Sequence, residues 1–278
     1  MRTIKEKRTL FWVLVLAVFL EGSILAQFTP YEIDQRDDWE YFLKTARIIE
    51  ARQLSSQEGI TQPWVLTLKK NKTVRKAIWK PIDGLFKGFF ENWRWEIAAY
   101  RLDKYLGLNM IPPTVERRLW EIRGSLQLWI DSKMSLREKN SRNFFVPESD
   151  VLNWNRMLCL QQAFDNLIAN EDRHQGNYLI TDDWRIILID HSRSFRTSDQ
   201  FTKDLIFSEN PRDGNRTMRQ LPKSFVERIK ALDFETIKNV AGRYLTSSEI
   251  ESVLLRRDLM IERIDQMIGV HGPKDILY

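Results

Sequence analysis

Asn170-Glu171-Asp172-Arg173-His174-Gln175-Gly176-Asn177 is followed nine residues on by Ile186-Ile187-Leu188-Ile189-Asp190-His191. The first run is polar and reads as D-R-H-x-x-N. The second is apolar, strand-like, and ends in an aspartate. Phosphoryl transfer on a two-lobed scaffold needs an aspartate to orient the attacking hydroxyl, an amide oxygen to hold a metal, and a second aspartate for the metals on the nucleotide phosphates. Asp172, Asn177 and Asp190 supply these groups in that order. An amide oxygen is a hard neutral ligand suited to Mg²⁺ or Mn²⁺. A carboxylate after four apolar residues is costly to bury without a cation or donors, so Asp190 reads as a metal ligand or as one half of a local ion pair with Arg193 or Arg196. His174 reads either as a second base or phosphate donor, or as a histidine that bonds the loop backbone.

Upstream, Lys80 ends the apolar run Ala77-Ile78-Trp79. A lysine there points inward only toward a partner. Glu96, on the helix that follows, is preferred over Glu91 because it sits among apolar helical neighbours; Lys76 is the competing lysine. Gly59 to Thr61 reads as a turn whose N–H groups would cover phosphates, or as a plain tight turn. No Walker-type G-x-x-x-x-G-K-[ST] occurs.

The surrounding pattern places these residues on elements. Trp39, Phe42, Leu43, Ala46 and Ile49 recur at helical spacing. Trp64–Lys69 and Val74–Lys80 predict a β-hairpin. Trp93–Leu106 predicts a helix stopped by Gly107. Val115–Ile122 and Ser125–Ile130 read as two more strands. Residues 132–149 are polar and mark a lobe boundary, and 150–169 read as a helix. A short hairpin turns at Thr181-Asp182-Asp183, and 197–220 read as a polar loop. The remainder is helical, with a capping box Thr246-Ser247-Ser248-Glu249 opening the last long helix.

The chain has 278 residues, 43% hydrophobic and 29% charged, with ten tryptophans and fifteen phenylalanines. That excludes disorder and allows two lobes. Leaving out residues 1–26 lowers the net charge from +5 to +3, and no basic stripe alternates with stacking aromatics, so no nucleic-acid partner is expected. A basic start (Arg2 to Arg8), an apolar run (Leu10 to Leu20) and Ala26 after Ser23-Ile24-Leu25 fit an export signal. The alternative is an uncleaved membrane anchor through residues 10–28, although the run is about half of the ~20 residues a spanning helix needs. The expected location is exported: periplasmic, secreted or in the secretory lumen. Cys159 is the only cysteine; it allows no internal disulfide and reads as a core residue.

Trp79-Lys80-Pro81, Glu96-Ile97-Ala98-Ala99-Tyr100-Arg101-Leu102-Asp103, Leu106-Gly107-Leu108 with Ile111-Pro112-Pro113-Thr114-Val115, Gly124-Ser125-Leu126-Gln127, Asp172-Arg173-His174-x-x-Asn177 and Ile189-Asp190-His191 together resemble the atypical kinases. These are the phosphatidylinositol 3-/4-kinase-like superfamily, with the HipA-type and the Golgi casein, or secretory-pathway, kinases as relatives. The resemblance spans about residues 57–265. It implies an α+β, two-lobed protein-kinase-like fold: a small antiparallel-sheet N-lobe with one key helix (57–131) and a mostly helical C-lobe (150–278), after an N-terminal helical extension (27–56). It further implies that ATP lies between the lobes, Lys80 touches its phosphates and Glu96 holds Lys80. Asp172 would act on the acceptor hydroxyl, Asn177 and Asp190 would bind the metals, and Gln127 to Ile130, with Trp129 among them, would line the adenine pocket. The family's D-F-G stands here as Asp190-His191-Ser192. Arg193, Arg196, Lys203, Arg212, Arg216 and Arg219 are interspersed with Asp199, Asp204, Glu209 and Asp213, which makes no clear inositol-headgroup reader. A protein hydroxyl is therefore the expected acceptor, ahead of a lipid or small molecule. The competing functions are a kinase-shaped binding module without turnover and a nucleotidyl transferase.

Overall fold

Two helices open the described chain. Thr29 and Glu32 form a capping box around Pro30, which starts α1 (Pro30–Asp34), and α2 (Arg36–Thr45) follows. The structure is a computed structural model that describes residues 28–55, 61–208 and 218–278. The N-terminal segment 1–27, Gly59, Glu209, Arg212, Asp213 and Arg216 lie outside the described residues.

The apolar periodicity through Ile49 is helical only to Thr45. Arg47–Gln53 forms strand β1, antiparallel to β2 (Trp64–Lys70). The β-branched pair Ile48-Ile49 suits a pleated surface. β2 pairs with β3 (Thr73–Lys80) in the expected hairpin, with Asn71 in the left-handed region at φ 55°.

Between Lys80 and the next helix lies an element the sequence reading left unassigned. β4 (Asp83–Phe86) and β5 (Phe89–Asn92) form a separate two-stranded ribbon, turning at Lys87-Gly88. Helix α3 (Trp93–Leu106) follows. Its Asn92 cap accepts a bond from the Arg94 N–H, and it ends at Gly107 at φ 74°, a backbone state glycine adopts without strain. β6 (Thr114–Leu119) and β7 (Ile122–Leu128) complete the larger sheet, whose order is β1-β2-β3-β7-β6. Their turn is Trp120-Glu121, three residues earlier than the Arg123-Gly124 break between the expected strands. Both turn residues have positive φ, 46° and 67°, as a two-residue hairpin of the primed type requires. Trp120 packs against Trp64 and Trp79, with ring centroids 4.8 and 5.7 Å apart.

The two faces of this sheet do different work. Leu66, Leu68, Ala77, Trp79, Val115, Leu126 and Leu128 form an apolar face buried under Phe42 and Leu43 of α2. Lys80 pairs with Ser125, Ile78 with Gln127, and Gln127 with Thr114. Side chains directly opposite each other share a face, so Lys80, Ile78, Ser125 and Gln127 stand together on the opposite side.

The polar stretch 132–149 holds β8 (Met134–Ser135) and α4 (Leu136–Ser141), the latter started by a Ser135/Glu138 capping box. Then come α5 (Val151–Ile168), β9 (Tyr178–Ile180) and β10 (Ile186–Leu188). β8, β9 and β10 make a small sheet. Short α6 (Asp199–Thr202) lies in the polar region after Asp190. α7 (Lys223–Lys230), α8 (Phe234–Ala241), α9 (Ser247–His271) and α10 (Pro273–Ile276) finish the chain. The Thr246/Glu249 box opens α9 as expected. Cys159 is a free thiol packed against the core. The result is α+β: an antiparallel β-rich N-terminal region and a helical C-terminal region, the two-lobed arrangement of a generic kinase-like fold. Among the described residues no helix is long and apolar enough to cross a membrane.

Candidate active site

Lys80, at the last position of β3, points off the sheet toward α3. Its Nζ donates to Glu96 Oε1 at 2.5 Å and to Asp190 Oδ1 at 2.8 Å. Burial works against the ammonium, but Asp190 and Glu96 outweigh it and hold its pKa above the ordinary lysine value. Burial likewise opposes the Glu96 carboxylate, and the Lys80 charge prevails, so its pKa falls below the carboxylate range. Neither of the competing residues enters this pair. Lys76 is exposed on β3. Glu91 lies in β5 and is buried, and its carboxylate accepts from Arg193 Nη2 at 2.8 Å and from Ser192 Oγ at 3.1 Å.

Asp190 lies two residues beyond β10 with φ 61°. Aspartate is among the few side chains that enter this left-handed region. Ser192 Oγ lies 3.2 Å from its Oδ1, so the single hydroxyl proton is shared between Asp190 and Glu91. The next residue ties the lobes together. The His191 backbone N–H donates to Glu96 Oε2 at 3.0 Å, and its ring is fully buried. Arg173 Nη2 lies 2.7 Å from His191 Nε2. A guanidinium can only donate, so Nε2 accepts and the proton sits on Nδ1. Nδ1 lies 3.8 Å from Glu96 Oε2. Burial, reinforced by Arg173, holds the pKa of this imidazole below its ordinary value, so it is neutral at physiological pH.

Arg173 organises the D-R-H-x-x-N loop. It forms a two-pronged pair with Asp165 of α5, at 2.8 and 3.1 Å. It also donates to the carbonyls of Asn177 (3.1 Å) and Ile189 (2.7 Å). Asp165 is further held by Gln161 and by Asn170 Nδ2 at 3.1 Å. One guanidinium thus fixes the backbone on both sides of the site. Its other neighbours follow from that. Asn177 is buried, and its Nδ2 donates to the Asp172 carbonyl at 2.9 Å. The amide nitrogen is committed, so Oδ1 is the atom of this side chain that could hold a cation. The Asp172 carboxylate is half-buried, 3.5 Å from Arg193 Nη1. Burial raises its pKa, against the pull of Arg193.

Other expected residues fall elsewhere. His174 is exposed, and its Nδ1 accepts the Gly176 N–H at 3.0 Å, which is the backbone-bonding alternative. Gln127 is buried on the Lys80 face, and its Nε2 donates to Thr114 Oγ1 at 2.9 Å. Trp129 lines a cleft of about 260 Å³ with Phe28, Arg36 and Trp39, beside α1 and α2. Thr61 sits in the turn entering β2, whose first residue pairs with Trp79 next to Lys80.

Sequence reasoning gave Arg173, Asp165 and His191 no part in the site, and it weighed Glu91 only as a rival partner of Lys80 and Arg193 and Arg196 only as partners of Asp190; instead Arg193 pairs with Glu91 and approaches Asp172, and Arg196 pairs with Glu171. One signal was present. Asp165 sits inside the apolar helix between Phe164 and Leu167, and such a carboxylate demands a cation. Arg173, eight residues on, supplies it.

Among the described residues no group of three or more His, Cys, Asp or Glu side chains converges as a ready-made metal cage. One carboxylate and one amide fit the alternative, in which a hard cation takes few protein ligands and completes its shell with phosphates and water. No protein-family model and no curated protein matches the chain.

Proposed function

We propose that this chain is an ATP- and metal-dependent phosphotransferase, acting outside the cytoplasm on a protein hydroxyl. One observation carries the reading: Lys80 reaches both Glu96 of the first lobe and Asp190 of the second, beside an Asp172 loop pinned by Arg173. Lysine paired with a helix carboxylate, next to a metal-type aspartate, is the arrangement that phosphoryl transfer uses for charge placement.

In this reading the ammonium of Lys80 binds the α/β phosphate oxygens. Glu96, fixed by the His191 N–H, keeps the lysine from swinging away. Asn177 Oδ1 and the Asp190 carboxylate hold Mg²⁺ or Mn²⁺, which neutralises charge on the transferred group. Asp172 accepts a hydrogen bond from the acceptor hydroxyl and takes its proton. The bond from acceptor oxygen to γ-phosphorus forms as the β–γ bridging bond breaks, and ADP leaves. Gln127 borders the nucleotide, with Thr61 in the turn entering β2. Positioning and fixed charges supply the rate.

The test is transfer from γ-labelled ATP by the full chain with Mg²⁺ or Mn²⁺, to itself or to a mixed protein acceptor. Asp172→Ala should lower transfer by roughly 10²–10⁴-fold, the range for a positioned proton acceptor. Label incorporation that is absent, or equal in Asp172→Ala, refutes the reading.

A further inference from the structure

Arg193 stands three residues beyond Asp190 and has no part in the transfer described above, yet it lies beside the proposed proton acceptor. Its Nε and Nη2 both donate to Glu91 Oε1, at 3.1 and 2.8 Å. The guanidinium also lies over the Phe89 ring, 4.2 Å from its centre. A guanidinium is a rigid planar fork. Two bonds along one edge and a ring beside it therefore fix where the third nitrogen points. That nitrogen, Nη1, is 3.5 Å from Asp172 Oδ1.

The support behind Arg193 is itself anchored. Glu91 is buried in β5, and Ser192 Oγ lies 3.1 Å from its Oε2. The ribbon is joined to the second lobe without the help of Arg193. The Asn92 N–H donates to the Ser192 carbonyl at 2.9 Å, and Arg196 Nη2 donates to the Phe90 carbonyl at 3.1 Å. Asp172 shows the complementary need. Its backbone is tied down, with its N–H on Asn170 Oδ1 at 3.2 Å and its carbonyl on Asn177 Nδ2 at 2.9 Å. Its carboxylate is not: among the described residues it accepts no hydrogen bond, and Arg193 is the one cation within 4 Å. A carboxylate on fixed backbone still turns about its side-chain torsions. A proton acceptor that must face one hydroxyl is ordinarily oriented by a third group.

We propose that Arg193 is the positioning residue for Asp172. Carried by Glu91 of the β4–β5 ribbon, it turns the carboxylate so that Oδ1 faces the guanidinium and Oδ2 faces the acceptor hydroxyl. This role deepens the phosphotransferase reading and rests on it. It also gives the ribbon a task, which is to bring Glu91 across to the second lobe.

The test measures transfer from γ-labelled ATP by the full chain, with Mg²⁺ or Mn²⁺ and a mixed protein acceptor. Arg193→Ala should lower the rate at saturating ATP by roughly 10–100-fold, the scale of a misplaced reacting group, and leave the KM for ATP within about twofold. Arg193→Lys keeps the charge but not the fork, so its rate should stay low. Arg193→Ala leaves Glu91 buried without a partner, so Arg193→Ala with Glu91→Gln is measured beside it; the ATP-induced rise in melting temperature reports that each variant is folded. Glu91→Gln should slow wild type and add nothing to Arg193→Ala. In an Asp172→Ala background, Arg193→Ala should change the residual rate by less than about twofold, because residues acting as a unit are not additive. An undiminished rate in Arg193→Ala or in the double variant overturns the role and leaves the phosphotransferase reading intact. So does a rate restored by Lys, a loss confined to the KM for ATP, or a further large loss in the Asp172→Ala background. A wild-type chain that transfers no label removes the phosphotransferase reading and this role with it.

Discussion

Single side chains set the chemistry of the site, and two of them make opposite predictions for stability. Lys80 neutralises two carboxylates, one fully buried. Lys80→Met leaves Glu96 uncompensated and should destabilise the fold by about 3–5 kcal/mol, the range for breaking a buried pair from one side. Urea unfolding at pH 7 measures it. The deficit should narrow in acid, because a protonated Glu96 no longer needs the ammonium. Asp172 behaves in reverse. Its pKa is raised by burial, so between the ordinary aspartate value and the raised one the folded chain holds a proton the unfolded chain lacks. Stability from this group therefore falls as pH rises through that window. Asp172→Asn should abolish transfer yet raise Tm at pH 8, with the gain shrinking toward pH 4. At this scale residue type and spacing name Asp172, Asn177, Asp190, Lys80 and Glu96 as candidates, and what the fold adds is that Lys80 meets both Glu96 and Asp190. The parts played by Arg173, His191 and Arg193 were not legible, because they depend on which distant carbonyls and rings these side chains meet.

Among the elements, α3, α5, the β2–β3 and β9–β10 hairpins and the capped start of α9 were readable from periodicity and caps. The failures are where local rules were overridden. The β6–β7 turn carries no Asn or Gly, so nothing marked it, and its tryptophan is held by Trp64 and Trp79 instead. Glu121 stands there at φ 67°, nearly fully exposed. Its ion pair with Arg118 is too exposed to matter much. Glu121→Gly should therefore stabilise the protein by about 1 kcal/mol, by removing the left-handed strain; a shift of the urea midpoint at constant m-value checks it. Gly124 is the opposite case. A Cβ there would stand 2.6 Å from the Lys80 carbonyl and 2.7 Å from Trp79 Nε1, so β7 and β3 would have to part. Gly124→Ala should cost about 1–3 kcal/mol, the usual scale of overpacking, and should weaken the ATP-induced thermal shift because Lys80 moves with its strand. The β4–β5 ribbon escaped notice because four-residue strands around a Lys-Gly turn look like any loop.

At the scale of the molecule, the first described helices are part of the N-terminal lobe. α2 seals the apolar face of the sheet. Arg36 Nη1 donates to Asn109 Oδ1 at 2.7 Å, and Nη2 lies 3.6 Å from Asp103 of α3. Asp103 is fully buried, and burial outweighs Arg36 and pushes its pKa up to about 7. Between an unfolded value near 4 and this one, the folded chain retains a proton. Asp103 therefore lowers stability progressively as pH rises from about 4 to about 7, with no further change above. Asp103→Asn keeps an acceptor for the Met110 N–H and should flatten that slope in urea midpoints measured from pH 4 to 8. The two-lobed plan was legible because the strand-rich and helix-rich halves are separated in the chain. The sealing of the sheet by α2 was not, since a periodic helix does not say which surface it covers. The backbone at Asp190 limits what can replace it. Only glycine, asparagine and aspartate settle easily at that φ. Asp190→Asn or Asp190→Gly should therefore leave the urea midpoint far less changed than Asp190→Val, because a β-branched side chain meets the full steric cost of the left-handed backbone.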